Sequence, residues 1–170
     1  MPKFNGTATY VHHSPRFAET IAIYASLKKL GGVWDREVYS VDIPDDIKLQ
    51  GNITHFEMVN IIVALRVWKE AWRHKHVHFH VDNEAVVIIY NSGYTRDTLL
   101  ANFARNIWLI TSVYDIKLTV AHIAGKNNNT ADLLSRWQNT EGNYNSLHKL
   151  VPNVVWKDVT PEMFHINNDI

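Results

Sequence analysis

The chain has 170 residues, 17 Lys plus Arg against 17 Asp plus Glu, and 46% hydrophobic residues, which suits one globular domain with a real core and excludes disorder for most of its length. Zero net charge argues against a strongly non-specific nucleic-acid binder while leaving room for a local basic face, and the lack of cysteine excludes a disulfide framework, a thiolate zinc site and a Cys nucleophile. No apolar run approaches the roughly 20 residues of a membrane span and the first residues lack a signal-peptide pattern, so the expectation is an intracellular protein, cytoplasmic or nuclear, with no membrane partner.

Residues 1–17 mix Pro, Asn, Thr and His-His without periodicity and read as a leading segment. Ile21, Ile23 and Ala25 mark a short buried strand, and Gly31-Gly32 followed by Val33-Trp34 and Val38 to Val41 suggests a turn and further strands, an antiparallel opening. Residues 44–52 are punctuated like a loop, and Thr54, three residues before Glu57, has the spacing of a capping box. The clearest helix spans 56–72, because Met58, Ile61, Ile62, Leu65, Trp68 and Trp72 recur at three and four residues. A strand at 77–81 then ends at Asp82-Asn83, a short helix at 84–90 closes on Asn91-Ser92-Gly93, and a second long helix covers 97–113. Alternation predicts a strand at 116–123, a loop at 125–129 and a helix at 130–137. Strands first, then strands alternating with helices, predict crossover connections and an α/β fold with a mixed sheet and helices packed on it. After Trp137 the Asn-rich composition marks a tail over 139–170, partly docked through Trp156 and Phe164, which leaves 18–138 as the domain.

Three carboxylates stand at the ends of predicted elements: Glu57 and Asp132 in first turns of helices, and Asp82 where a strand ends. Strand ends and helix starts converge in an open α/β sheet, and clustered carboxylates there bind hard cations such as Mg²⁺ or Mn²⁺; a pair of such ions about 3.5–4 Å apart supports phosphodiester hydrolysis. The helix dipole alone also favours acids in first turns.

Tyr24-Ala25-Ser26 with Leu30-Gly31-Gly32-Val33-Trp34, then His55-Phe56-Glu57-Met58-Val59-Asn60, then Val81-Asp82-Asn83, and finally His122-Ile123-Ala124-Gly125-Lys126-Asn127 with Ala131-Asp132-Leu133-Leu134-Ser135-Arg136 form four blocks in order. Together they resemble the ribonuclease H domain of retroelement reverse transcriptases, and most closely that of the tyrosine-recombinase-bearing elements of DIRS or Ngaro type. The resemblance implies a ribonuclease H-like fold, a mixed five-stranded sheet with helices on both faces, that cuts the RNA strand of an RNA–DNA hybrid with two Mg²⁺ (or Mn²⁺) ions. It also implies a polymerase domain in the parent polyprotein. On this resemblance the metal-binding acids are Glu57, Asp82 and Asp132, and His122 matches the histidine that assists product release. The family's first acid, in the first strand, corresponds to Tyr24 here. A phenol of ordinary pKa about 10 offers neither a charge nor a second oxygen at neutral pH, so the resemblance implies impaired catalysis. Asp35, Glu37 and Asp42 are the carboxylates from which a replacement would have to come.

Arg66, Lys69, Arg73 and Lys75 near the end of the long helix, with Lys126 and Asn127 in the late loop, are the candidate nucleic-acid contacts; a solvated helix face is the other reading of the first four. His74, His76, His78 and His80 alternate, which fits a polar strand face or a transition-metal site, although strand neighbours two apart are separated by roughly 6.5–7 Å. Trp68, Trp72 and Trp108 fall on apolar helix faces and are expected in the core. The alternative to an impaired enzyme is a non-catalytic nucleic-acid-binding or protein-interaction module.

Overall fold

Glu19–Ala25 buries Ile21, Ile23 and Ala25 and leaves the intervening residues on the other face, so it enters the sheet as strand β1 with its apolar side toward the helices. The computed structural model describes residues 19–123 and 129–167. Strands β2 (Lys29–Trp34) and β3 (Glu37–Asp42) continue β1 as an antiparallel meander. After α1 (Asp45–Gln50), the 20-residue α2 (Ile53–Trp72) crosses the sheet and returns the chain to β4 (His76–Val81), which lies parallel to β1. Helices α3 (Glu84–Ser92) and α4 (Thr98–Val113) lead to β5 (Lys117–His122), parallel to β4. Gly93 ends α3 at φ 68°, a left-handed turn in which its N–H bonds the Ile89 carbonyl. Then come α5 (Asn129–Ser135), α6 (Glu141–Leu150), β6 (Val155–Trp156) and a 3₁₀ turn, Pro161–Phe164.

The sheet order is β5-β4-β1-β2-β3-β6, six strands where five were expected. The extra strand is only two residues long and pairs parallel with β3 through Val155 N–H to Arg36 O (2.8 Å) and Lys157 N–H to Val38 O (2.8 Å). One face of the sheet is covered by α2 and α4, where Trp68 and Trp72 pack with Tyr39 and Phe79 at ring separations of 5.3–5.8 Å. Phe164 of the closing turn is buried in this same cluster. The other face carries α5 and α6, which enclose a smaller core of Val38, Leu134, Trp137, Leu147 and Val151. Trp108, expected inside, is 40% exposed on α4. No helix among the described residues is long and apolar enough to cross a membrane.

Gly31 of β2 sets the approach of α5. A Cβ there would stand 2.7 Å from both Leu134 Cβ and Ser135 N and 2.8 Å from Ala131 O, so only glycine lets the helix lie against the strand. On the opposite face, the wholly buried Asn60 of α2 donates to Tyr24 O (3.1 Å) and Gly31 O (3.0 Å) and accepts from Tyr39 Oη (2.5 Å), tying β1, β2 and β3 to one helix position.

Candidate active site

From β1 the chain runs one way across the sheet to β2 and β3, and from β4 the other way to β5. The carboxyl ends of β1 and β4 therefore flank a topological switch point, the usual place for a ligand in an open α/β sheet. β1 ends there in Tyr24-Ala25, β4 is followed by Asp82, and the start of α2 overhangs both.

The N-terminus of α2 is capped differently from the expected Thr54–Glu57 box. Asn52 is the N-cap: its side chain accepts from the N–H of Thr54 (3.0 Å) and of His55 (3.5 Å), and the Asn52 N–H donates to His55 Nδ1 (3.1 Å). His55 Nε2 stands 2.9 Å from Asp97 Oδ2, and Asp97 in turn caps α4, so one buried ring joins the starts of two helices. This arrangement releases Glu57 from capping. Its Oε1 instead accepts the Ala25 N–H at 2.6 Å, while Oε2 is buried without a hydrogen-bond partner. Burial, opposed by the Ala25 hydrogen bond and reinforced by the nearby Asp82 charge, pushes the Glu57 carboxyl from its ordinary 4.5 up to about 8.

Asp82 is half-buried, with His122 Nε2 3.8 Å from its Oδ1. Asn83, the next residue, caps α3 and donates to Thr54 Oγ1 (3.2 Å), which holds the end of β4 against the start of α2. Asp132 rides on α5, whose C-terminal end is fixed by Ser26 Oγ to Ser135 O (2.7 Å) and Ser40 Oγ to Leu134 O (2.6 Å). Arg136 Nε lies 3.2 Å from Asp132 Oδ1, a charge pair without a hydrogen-bonding angle. Tyr24 points away from the α2 face and lines an open cleft with Ile53, Ser135 and Arg136.

The structure thus joins Glu57, Asp82 and His122 at the switch point and pairs Asp132 with Arg136. The unpartnered Glu57 Oε2 is the kind of buried oxygen a cation satisfies, yet among the described residues no group of three His, Asp or Glu stands close enough to hold one ion. With a phenol at position 24 the residues present do not fit a two-ion centre. Nor do the other acids supply the missing one. Asp35 and Glu37 lie at the far end of the β2–β3 hairpin, and Asp42 is bound to Lys29 at 2.8 Å.

The expected nucleic-acid contacts on α2 lie elsewhere. Arg73 follows Glu57 by 16 residues, about 24 Å along a helix. Arg66 donates to the carbonyls of Met163 and His165 and so clamps the C-terminal segment. Lys69 and Arg73 sit over the Tyr114 ring (5.3 and 4.7 Å), and Lys75 pairs with Glu19 at 3.4 Å. Lys126 and Asn127 lie outside the described residues, as does the leading segment 1–17. His76, His78 and His80 share one strand face as expected; His74 does not, since it sits in a turn at φ 63° and pairs with Asp115. Thr119 of β5 meets His76 Nε2 (3.0 Å) and His78 Nδ1 (2.5 Å), and burial together with His80 and His76 lowers the His78 pKa to about 4. Ser26, Asn60 and His55, which shape the site, were visible only as members of the quoted blocks.

These features define a ribonuclease H-like fold. The chain is similar to RNase H1 from the halophilic archaeon Halobacterium salinarum, at a TM-score of 0.57 and 14% identity over 69% of this chain and 93% of that one. It is similar also to an RNase H1 isolated from compost by a metagenomic approach, at a TM-score of 0.50 and 15% identity over 69% of this chain and 91% of that one. No protein-family model matches the sequence, and no curated protein matches it.

Proposed function

We propose that the chain is a ribonuclease H-like domain derived from a retroelement reverse-transcriptase polyprotein of DIRS or Ngaro type, which recognises nucleic acid but has lost most or all of its hydrolytic activity. The ancestral reaction is cleavage of the RNA strand of an RNA–DNA hybrid, with Mg²⁺ or Mn²⁺ as cofactor and the polymerase domain as covalent partner. What supports the reading is the identity of the switch-point residues: Tyr24 stands near the end of β1, where the resemblance places an acid, while Glu57 and Asp82 lie near one another. A phenol supplies none of the charge that a pair of divalent ions requires. Glu57, Asp82, Asp132 and His122 remain as the remnant of that site.

The test is a labelled RNA–DNA hybrid incubated with the protein and its Tyr24→Asp variant in Mg²⁺ and in Mn²⁺. The expected outcome is cleavage by the variant alone, abolished when Asp82→Asn is added. Cleavage by the unaltered chain would show that another group replaces the lost carboxylate. A folded Tyr24→Asp variant that cuts nothing would count against the site, and favour the reading of a non-catalytic binding or interaction module.

A further inference from the structure

Two open clefts meet at Lys29, Trp137 and Gln138. One, of about 540 Å³, begins at Tyr24 and passes Lys28 and Arg136. The other, of about 610 Å³, continues between Ser40, Tyr144 and Trp156. Because they share three residues they form one groove that leads from the switch point to the α6–β6 end of the sheet.

The charges along this groove are segregated. Lys28, Lys29 and Arg136 line it, and no Asp or Glu does, although the whole chain has equal numbers of acids and bases. Lys29 and Arg136 are each paired with a carboxylate that does not line the clefts, Asp42 at 2.8 Å and Asp132 at 3.2 Å. Lys28 is exposed, and its ammonium takes part in no ion pair among the described residues.

The far half is aromatic. Trp137 is buried, and against it stand Tyr144, edge-on at 5.1 Å and 46% exposed, and Trp156, tilted at 5.0 Å and 40% exposed. Asn139 Oδ1 accepts from Trp137 Nε1 at 3.0 Å, and Asn143 Nδ2 donates to Gln138 O at 2.9 Å, so the rings rise from an ordered wall. Leu147 and Val151 anchor α6 beneath them. Rings already held in place lose little freedom when a ligand stacks on them.

A free Lys28, with Lys29 and Arg136 able to exchange their carboxylate partners for phosphates, would suit any polyanion, but exposed rings narrow the choice. In a duplex the faces of the bases are covered by their neighbours, whereas in a single strand they are free to stack on aromatic side chains. We infer that this groove binds a single-stranded polynucleotide, its phosphates on Lys28, Lys29 and Arg136 and its bases on Tyr144 and Trp156, with Tyr24 as a third ring at the near end. The inference deepens the nucleic-acid recognition proposed above and rests on it.

Fluorescence anisotropy with labelled oligo(dT), oligo(U) and a blunt RNA–DNA hybrid of equal length, at one salt concentration, tests it. Both single strands should bind more tightly than the hybrid and quench tryptophan emission, and the ratio between them reports whether DNA or RNA is preferred. Trp156→Ala should weaken single-strand binding about tenfold, whereas Trp156→Phe should keep most of it. Tyr144→Ala, which leaves the β6 pairing untouched, should weaken it too. Lys28→Glu should reduce the salt dependence by about 0.7 in log–log slope, one phosphate's worth for a single strand. Hybrid binding equal to or tighter than single-strand binding, with no response to the Trp156→Ala and Tyr144→Ala changes, would overturn the groove and leave the broader nucleic-acid reading standing. If none of the three probes binds, both fall.

Discussion

Glu57 makes the stability of this protein depend on pH in a way that one substitution isolates. Burial first, and the Asp82 charge second, hold its carboxyl at about 8 in the folded chain against an ordinary 4.5, with the Ala25 N–H pulling the other way. Between those values the unfolded chain has released this proton and the folded chain keeps it, so the folded state binds more protons and stability falls as pH rises. The favourable contribution is whole below about pH 4.5, declines by about 1.4 kcal/mol per pH unit, and is gone once pH passes about 8. Relative to a side chain that cannot ionise, the loss is about 1.4 kcal/mol at pH 5.5, about 3 at pH 7 and about 5 at pH 8.5. Glu57→Gln keeps the shape and a carbonyl oxygen for the Ala25 N–H while removing the titration. In urea unfolding at those three pH values, the variant should gain on the parent by about 3 kcal/mol between pH 5.5 and 8.5. A fixed penalty for placing the Gln amide where Oε2 lies would offset all three points equally. The lowered His78 titrates in both proteins and cancels from the difference. A difference that stays constant with pH refutes the reasoning, because Glu57 would then be ionised in the folded chain as well.

Two further substitutions probe the frame around the site. Gly31→Ala forces a methyl group against Leu134 and the backbone of α5, and should cost about 2–3 kcal/mol in chemical denaturation, loosening the helix that carries Asp132. Arg66→Ala removes both bonds to the Met163 and His165 carbonyls, so amide exchange over 161–167 should quicken, with a loss of about 1–2 kcal/mol in overall stability.

The parts of the fold that were legible from the sequence are those set by local pattern. The 3.6-residue recurrence through Met58, Leu65 and Trp72 is a property of one segment, and the strand at Val77, Phe79 and Val81 is read from its own alternation. The cap of α2 was misread because two boxes overlap, Asn52 with His55 and Thr54 with Glu57, and local spacing does not separate them. What separates them is non-local: Asp97 holds the outer nitrogen of His55, and the Ala25 N–H draws Glu57 away. The engagement of Arg66 was hidden for the same reason, since its carbonyl partners lie about a hundred residues downstream. Trp108 sits beside the buried stripe of Phe103, Ala104, Ile107 and Ile110, and one position on a helix is a 100° turn, enough to bring its ring to the surface. β6 consists of two exposed residues and carries no pattern at all. Of the candidate site, the nearness of Glu57 and Asp82 was legible because chain topology brings strand ends and helix starts together; the pairing of Asp132 with Arg136 and the hydrogen bond of Glu57 were not.

Tyr24 and the neutral Glu57 belong to one electrostatic balance. Asp82 already disfavours a charge on Glu57, as its upward pull on the Glu57 carboxyl records. Position 24 is one peptide from the N–H that Glu57 grips, so a carboxylate there, although it would point into the open cleft, adds a like charge near Asp82 and Glu57. Without a cation the Tyr24→Asp chain should therefore be less stable than the parent, by about 1–3 kcal/mol including the lost ring packing. A divalent ion that bound the restored acids would reverse this by mass action, raising the variant's melting temperature with Mg²⁺ concentration while leaving the parent nearly unmoved. A Tyr24→Asp chain as stable as its parent in EDTA, and indifferent to Mg²⁺, would mean that the carboxylates do not converge. Such a result would leave the ribonuclease H-like fold intact and remove the reason for reading position 24 as the seat of lost activity. The outcome expected here makes the tyrosine a stabilising residue at a position where an acid needs a bound cation to be accommodated.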